Sequence, residues 1–359
     1  MKWTARYKAR MRLNSIRLIR LISLAAMALP VLASLARAQT VEEFYRGRVV
    51  EIYVGVSVGG GYDSHMRVVA RHIGKHIPGN PTIVPLNMVG AGGLKLTNCL
   101  YNAAPQDGSV LALVNRGVPL EPLIGRTPPE NIRFDARKFT WIGSASNETS
   151  VCVAHDRSGI DRFTQLVEKE LIVGGVAAGV DTDDFPRVLC GALGAKFRVV
   201  SGYPGGNDTL FALERGEVDG RCGWSWSVLL STHEAWIRDG RLHVLLQMSR
   251  TPNPELTAMG IPWVMDFAKT DEARRILNLV FVRLAVGRPF IAPPNIPADR
   301  VVALRQAFDA TMKDPEFLAD AARARLEIAP MSGAEAQRLI EEAYETPQNI
   351  VDKARAMLR

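Results

Sequence analysis

The chain has 359 residues, 47% of them hydrophobic, and a formal net charge of +7; that length can bury a sizeable core and more than one structural unit. Eight of the basic residues (Lys2, Arg6, Lys8, Arg10, Arg12, Arg17, Arg20 and Arg37) fall within residues 1–38, which hold no acid, so the remainder carries 36 basic against 37 acidic side chains. The positive balance therefore belongs to the leader and not to the fold, which weakens a nucleic-acid reading, and no nucleic-acid partner is expected.

The leader has the layout of a secretory signal. A basic region ends near Arg20, the apolar run "LISLAAMALPVLASLA" follows, and "ARA" at positions 36–38 is the small-x-small pattern of signal peptidase. Residues 1–38 are expected to be a signal peptide cleaved after Ala38. The competing reading is an uncleaved anchor, but the run falls short of the ~20 residues of a span, and Pro30 and Arg37 interrupt or bound it. No twin arginine precedes the run and no cysteine follows the cleavage site, so general secretion without a lipid anchor is expected. Export places the mature chain in an oxidising compartment. Its cysteines, Cys99, Cys152, Cys190 and Cys222, allow three complete pairings, and their spacing does not choose among them. Buried free cysteines are the other reading. None sits in a CxxC, so neither a zinc nor a redox motif is supported.

Residues 49–58, "VVEIYVGVSV", are rich in β-branched residues and predict a strand. Met66, Val69, Ala70, Ile73 and Ile77 then recur at helical spacing, with Asp63 or Ser64 as N-cap and "PGNP" as the stop. "TIVPLNMV" predicts a second strand, "GAGGLKLTNCLYNAA" a glycine-started helix, and "SVLALVN" a third strand. This is the βαβ rhythm of a parallel sheet covered by helices. The proline-rich stretch 119–139 reads as irregular surface chain, and "FTWIGSASN" as a strand leaving the first unit. The rhythm restarts with the strand "LIVGGVA", the loop and helix "GVDTDDFPRVLCGALG", the strand "FRVVSGY" and the turn and helix "PGGNDTLFALERG". A short strand "VDGRCGW", a helix to about residue 237 and the apolar strand "LHVLLQMS" follow. Beyond residue 250 the chain reads as helical. "DEARRILNLVFVRLAV" and "ADRVVALRQAFDATMKD" are amphipathic, and Ser332 with Glu335 makes a capping box. Two strands, near 140–146 and 243–249, are placed to cross between the units.

Four βα junctions concentrate small residues: "GGGYDS", "GAGG", "GVDTDD" and "YPGGND". Ligands of open α/β sheets bind outside the carboxyl ends of strands. There, free backbone N–H groups and the positive ends of helix dipoles favour an anion. One such loop is ordinary packing, whereas four split between two facing units indicate a ligand cleft. Enzyme motifs do not close. Gly59, Gly61 and Ser64 fall on the dinucleotide spacing without its last glycine, "GAGGLK" lacks the phosphate-loop ending, and "GSASN" is not G-x-S-x-G. His72 and His76 lie four apart on a helix, without the glutamate of a zinc protease, and are expected on its solvent face. Asp181, Asp183 and Asp184 lack the spacing of a calcium loop and read as helix capping and solvated charge. No metal and no cofactor is expected. In "RCGWSWS", Arg221 at a strand end could hold a carboxylate, and Trp224 and Trp226 could wall an apolar ligand; ordinary core aromatics and a surface arginine are the alternative.

The leader, the run "VGVSVGGGYDSHMRVVARHIGKHIPGNPTIVPLNMVGAGG", then "APQDGSVLAL" and "GYPGGNDTLFALERGEVDG" together resemble the substrate-binding receptors of tripartite tricarboxylate transporters, the TctC or Bug-type family. The resemblance spans nearly the whole mature chain. It implies an α/β fold of two lobes, the type II periplasmic-binding-protein fold, each lobe a mainly parallel sheet flanked by helices, with crossing hinge strands. Lobe 1 would comprise residues 39–145 and 250–359, and lobe 2 residues 146–249. It also implies a small organic acid trapped between the lobes and delivered to membrane permease subunits, by a periplasmic protein expected to be a monomer. Gly60, Gly61, Tyr62 and Asp63 match the family's first loop, and Gly90, Ala91 and Gly92 its second. Val180, Asp181 and Thr182 fall where a Gly-Ser/Thr-rich loop is usual, and Tyr203, Gly205 and Gly206 match its tyrosine–glycine turn. Ser57, Asn115, Arg221 and Trp224 complete the expected ligand-binding set. The acidic "DTDD" departs from the family's neutral loop, and "GRCGW" from the usual apolar strand end. A tricarboxylate is therefore not assumed; a monocarboxylate, an aromatic acid or an amphoteric solute stays open.

Two other functions use the same residues differently. A sensory partner would present its ligand to a membrane receptor, and an exported α/β enzyme would need a nucleophile–base pair or dinucleotide fingerprint that the sequence does not display. Solute binding without turnover is the expectation.

Overall fold

The structure, a computed structural model, describes residues 39–359; the expected signal peptide and its cleavage site lie outside the described residues. Two mixed sheets organise the chain. The first part supplies β1 (Val49–Val54), α1 (Gly61–Ile73), β2 (Thr82–Asn87), α2 (Leu94–Asn102), β3 (Val110–Leu113) and β4 (Thr140–Ser144). The middle supplies β5 (Ser150–His155), β6 (Leu171–Gly174), α3 (Asp181–Leu193), β7 (Phe197–Val200), α4 (Gly206–Arg215), β8 (Gly220–Ser225), α5 (Trp226–Arg238) and β9 (Leu242–Met248). The last part supplies α6 (Asp271–Ala285), β10 (Pro289–Ala292), α7 (Ala298–Thr311), α8 (Pro315–Arg323), β11 (Met331–Ser332), α9 (Gly333–Tyr344) and α10 (Gln348–Leu358).

The first sheet runs β11-β4-β10-β3-β1-β2, and the second β7-β6-β8-β5-β9. In each, the strands joined by helical crossovers pair in parallel: β1 with β2 and β3, and β6 with β7 and β8. β10 and β11 add antiparallel to the first sheet, and β5 pairs antiparallel with β8 and β9 in the second. β1 shows why its segment is a strand: Val50, Ile52 and Val54 are buried, and the residues between them are less so. The helices bury one face each. In α1, Met66, Val69 and Ile73 are buried at the spacing read from the sequence.

The chain passes to the second sheet through residues 145–149 and returns through residues 286–288. β9 does not cross, contrary to the sequence expectation: it pairs with β5 along its length and forms an edge of the second sheet. The two passages lie side by side. Gly287 N donates to Ser146 O (2.9 Å), Ala145 N to Arg288 O (3.1 Å) and Glu148 N to Leu284 O (2.9 Å). The helical tail also divides. α7 and α9 pack on β4, and α8 on α1, whereas α6 and α10 pack against α3. Residues 250–359 therefore do not all side with the first sheet.

Cys152 on β5 and Cys222 on β8 form a disulfide between neighbouring strands, while Cys99 and Cys190 are free. Ser332 caps α9, accepting from Glu335 N at 3.3 Å. Among the described residues no helix is long and apolar enough to cross a membrane.

Candidate functional site: a cavity between the two sheets

The loops at the carboxyl ends of β1, β3, β6, β7 and β8 enclose a cavity of about 230 Å³. Ser57, Gly60, Gly61, Tyr62 and Asn115 line it from the first sheet; Val180, Asp181, Thr182, Gly205 and Gly206 line it from the second, with Arg221 and Trp224 of β8. α1 begins at Gly61 and α4 at Gly206, and neither has a side-chain N-cap. Both N-termini thus present main-chain N–H groups and the positive dipole end at the cavity wall.

Other expected residues lie elsewhere. Asp63 is buried behind the first loop, where its carboxylate accepts from Gly59 N, Arg67 Nε and Asn87 Nδ2, each at 2.9 Å. Burial works against its charge, but Arg67, Gly59 and Asn87 hold it below the usual carboxylate range. Gly90, Ala91 and Gly92 do not line the cavity. Gly92 has φ +64°, and a Cβ there would come within 2.7 Å of Val180 Cγ2 and 3.1 Å of Ala177 Cβ. Its loop abuts the 177–180 loop of the second sheet, a contact that only glycine admits. Tyr203 turns outward, its hydroxyl 3.3 Å from Glu217 Oε2. Trp226 donates its indole N–H to Glu255 (2.8 Å) and does not line the cavity. His72 and His76 are not on the solvent face but in a seam with α8, 3.0 Å from Asp320 Oδ2 and 2.9 Å from Asp314 Oδ2. The Lys75 ammonium lies between Asp314 (2.6 Å) and Glu316 (2.5 Å) in the same seam.

The acidic loop is neutralised from within. Asp181 accepts from Arg116 Nε at 2.6 Å, Asp183 from Arg126 Nη2 at 2.6 Å, and Asp184 from Arg283 Nη1 at 2.7 Å. All three aspartates are buried in the first turn of α3, where the helix dipole also favours them. Gly223, with φ +76°, lets β8 approach α3: a Cβ there would lie 2.6 Å from the Asp181 carbonyl carbon.

Three charged groups escaped the sequence reading. Arg116 follows Asn115 at the end of β3, and both it and Arg288 line the cavity. Glu148 and Arg288 sit on the two passages between the sheets, 3.1 Å apart, and Arg116 Nη1 is 3.7 Å from Glu148. Burial opposes the Glu148 charge, but Arg288 and Arg116 pull its pKa down to about 2. Burial likewise opposes the Arg116 charge, and Asp181, Tyr62 and Glu148 outweigh it, holding Arg116 above its ordinary value. The Arg288 guanidinium also lies over the Tyr62 ring at 4.3 Å and donates to Ser225 Oγ at 3.3 Å. Tyr62 keeps its proton, because burial raises its pKa despite the two arginines.

Arg221 differs from these. It donates to Gly206 O (3.0 Å) and lies over the Trp224 ring at 4.5 Å. Among the described residues no acid lies within ion-pair distance of it, and its Nε has no hydrogen-bond partner. Burial alone pulls its pKa down to about 10, so it remains a cation at neutral pH. An unpaired cation in a recess bounded by two uncapped helix N-termini is suited to an anion.

No family model matches the chain, and neither does any curated protein. Solved structures do. The periplasmic binding protein BugD superposes with a TM-score of 0.68 at 19% identity, over 86% of this chain and 98% of that one. MatC from Rhodopseudomonas palustris, with bound malate, gives 0.66 at 17% identity over 85% and 99%. An R. palustris protein with adipate gives 0.65 at 17% identity over 86% and 97%. The resemblance read from the loops is thus met across the whole architecture, and the chain has the two-sheet fold of these periplasmic binding proteins.

Proposed function

We propose that the chain is an extracytoplasmic solute-binding protein that captures a small organic acid between its two sheets. It hands the acid to the permease subunits of a tripartite tricarboxylate-type transporter. The observation that carries this reading is Arg221, a guanidinium with no acidic partner among the described residues, in a cavity that both halves of the fold line. The uncapped starts of α1 and α4 add to it. The malate and adipate in two structures of the same fold support a carboxylate as the class of ligand. In this reading residues 1–38 are a signal peptide cleaved after Ala38, the protein works in the periplasm as a monomer, and each lobe carries one sheet. Binding and release accompany lobe closure and opening about the passages at 145–149 and 286–288, without turnover.

The test is thermal unfolding of residues 39–359, refolded from denaturant to remove carried ligand, against mono-, di- and tricarboxylates. A ligand that binds only the folded state stabilises by about 2.7 kcal/mol at a hundredfold excess over Kd, a shift of several degrees. Arg221→Ala should remove about 2 kcal/mol of binding, roughly 30-fold in Kd. It should leave the ligand-free melting point nearly unchanged, since no buried acid loses its partner. A stabilising acid that acts equally on Arg221→Ala would show that the anchor lies elsewhere.

A further inference from the structure

We propose that the ligand is a monocarboxylate with an apolar body, not a di- or tricarboxylate; this rests on the anion-capture reading above. The charges around the cavity are nearly balanced. Of the three guanidiniums that line it, Arg116 is held by Asp181 at 2.6 Å and Arg288 by Glu148 at 3.1 Å. Among the described residues, only Arg221 of the three has no carboxylate. These residues thus supply one free positive charge. One carboxylate satisfies it; a second would be buried without a partner, at a high desolvation cost. Glu327, a further acid within the field of Arg288 and Glu148, can only reduce the positive charge on offer.

The rest of the wall agrees. Asp181 is itself part of the lining and would repel a second carboxylate placed on that side. To recruit Arg116 instead, a dianion would have to break its buried pair with Asp181. Val176, Val180, Leu210, Val228 and Leu326 offer apolar surface that rewards a hydrocarbon body. The volume of about 230 Å³ is ample for one, since an apolar cavity of ~150 Å³ takes a benzene ring. The Arg221 guanidinium lies over the Trp224 ring at 4.5 Å, so the indole supports the cation that faces a carboxylate.

The decisive comparison uses acids matched in length. Hexanoate and adipate share a six-carbon chain and differ in the second carboxylate; benzoate and terephthalate form an aromatic pair. Titration calorimetry on refolded residues 39–359 at neutral pH should give a Kd at least tenfold lower for the monoacid of at least one pair. Asp181→Asn removes the closer of the two acids on Arg116, leaving Glu148 at 3.7 Å, adds one positive charge to the cavity, and should shift the preference tenfold or more toward the diacid. Its folding is checked by a cooperative urea transition with the native slope, and the native-protein comparison stands without it. Diacids binding as tightly as their monoacid partners would overturn this inference and leave anion capture standing. No binding by any of the acids in the wider carboxylate panel would overturn both.

Discussion

Asp63 shows how a residue in a ligand-binding loop can serve the loop and not the ligand. Its carboxylate gathers the Gly59 amide, Arg67 and Asn87, and so fixes the turn that brings Gly60, Gly61 and Tyr62 to the cavity wall. Arg67 is partly exposed and can turn to solvent when Asp63 is removed, whereas the Asn87 amide loses a buried acceptor. Asp63→Ala should therefore lower unfolding stability by about 1–3 kcal/mol, read as a lower urea midpoint at unchanged slope. An unchanged midpoint with lost ligand binding would return Asp63 to the ligand. The glycine loops were legible because their spacing after apolar runs marks βα junctions. Asp63's orientation was not, because a carboxylate in the first turn can face the ligand or fold back on the main chain, and sequence spacing is the same for both. Arg116, Glu148 and Arg288 left no signal for a related reason. Each acquires its role from a partner distant in sequence, and single charged residues look like any solvated surface.

At the scale of elements, the parallel strands and their helices were readable because each repeats an apolar strand, a small-residue turn and an amphipathic helix. β10 and β11 were not. They are four and two residues long, and they join the first sheet antiparallel from the far side of the second unit. β9 was read as a crossing strand because an apolar run reports burial and not which sheet buries it. The cysteine pairing was equally out of reach of the sequence, yet it is a definite property of the second sheet. Cys152 and Cys222 are both fully buried on neighbouring antiparallel strands, with a separation of 70 residues that the bridge closes. Closing so long a loop restricts the unfolded chain. Exported protein, unfolded in denaturant without reductant, should titrate two thiols, those of Cys99 and Cys190, and four after reduction. Four before reduction would show that β5 and β8 are held by pairing and packing alone.

For the molecule as a whole, the two halves meet at a buried polar cluster whose members come from both. His65 is on α1, Glu148 and Arg288 are on the two passages, and Ser225 ends β8. His65 is fully enclosed, its Nδ1–H donating to Gly61 O at 2.7 Å. Burial, reinforced by Arg288, lowers its pKa from 6.5 to about 4. The unfolded chain binds this proton near 6.5 and the folded chain only near 4, so acid favours unfolding across that window. The effect of His65 amounts to about 3 kcal/mol once pH 4 is reached. Glu148, depressed from 4.5 to about 2, adds its own loss as pH falls from about 4.5 toward 2. Part of the stability that acid removes thus lies where one sheet is joined to the other. The melting point should fall steadily from pH 7 to 4, and His65→Asn, whose amide can still donate to Gly61 O, should flatten that slope without abolishing the steeper loss below. A variant that melts with the native slope between pH 6.5 and 4 would place the proton uptake on other groups, and would leave the cluster as a support for lobe geometry with no part in acid sensitivity in that window.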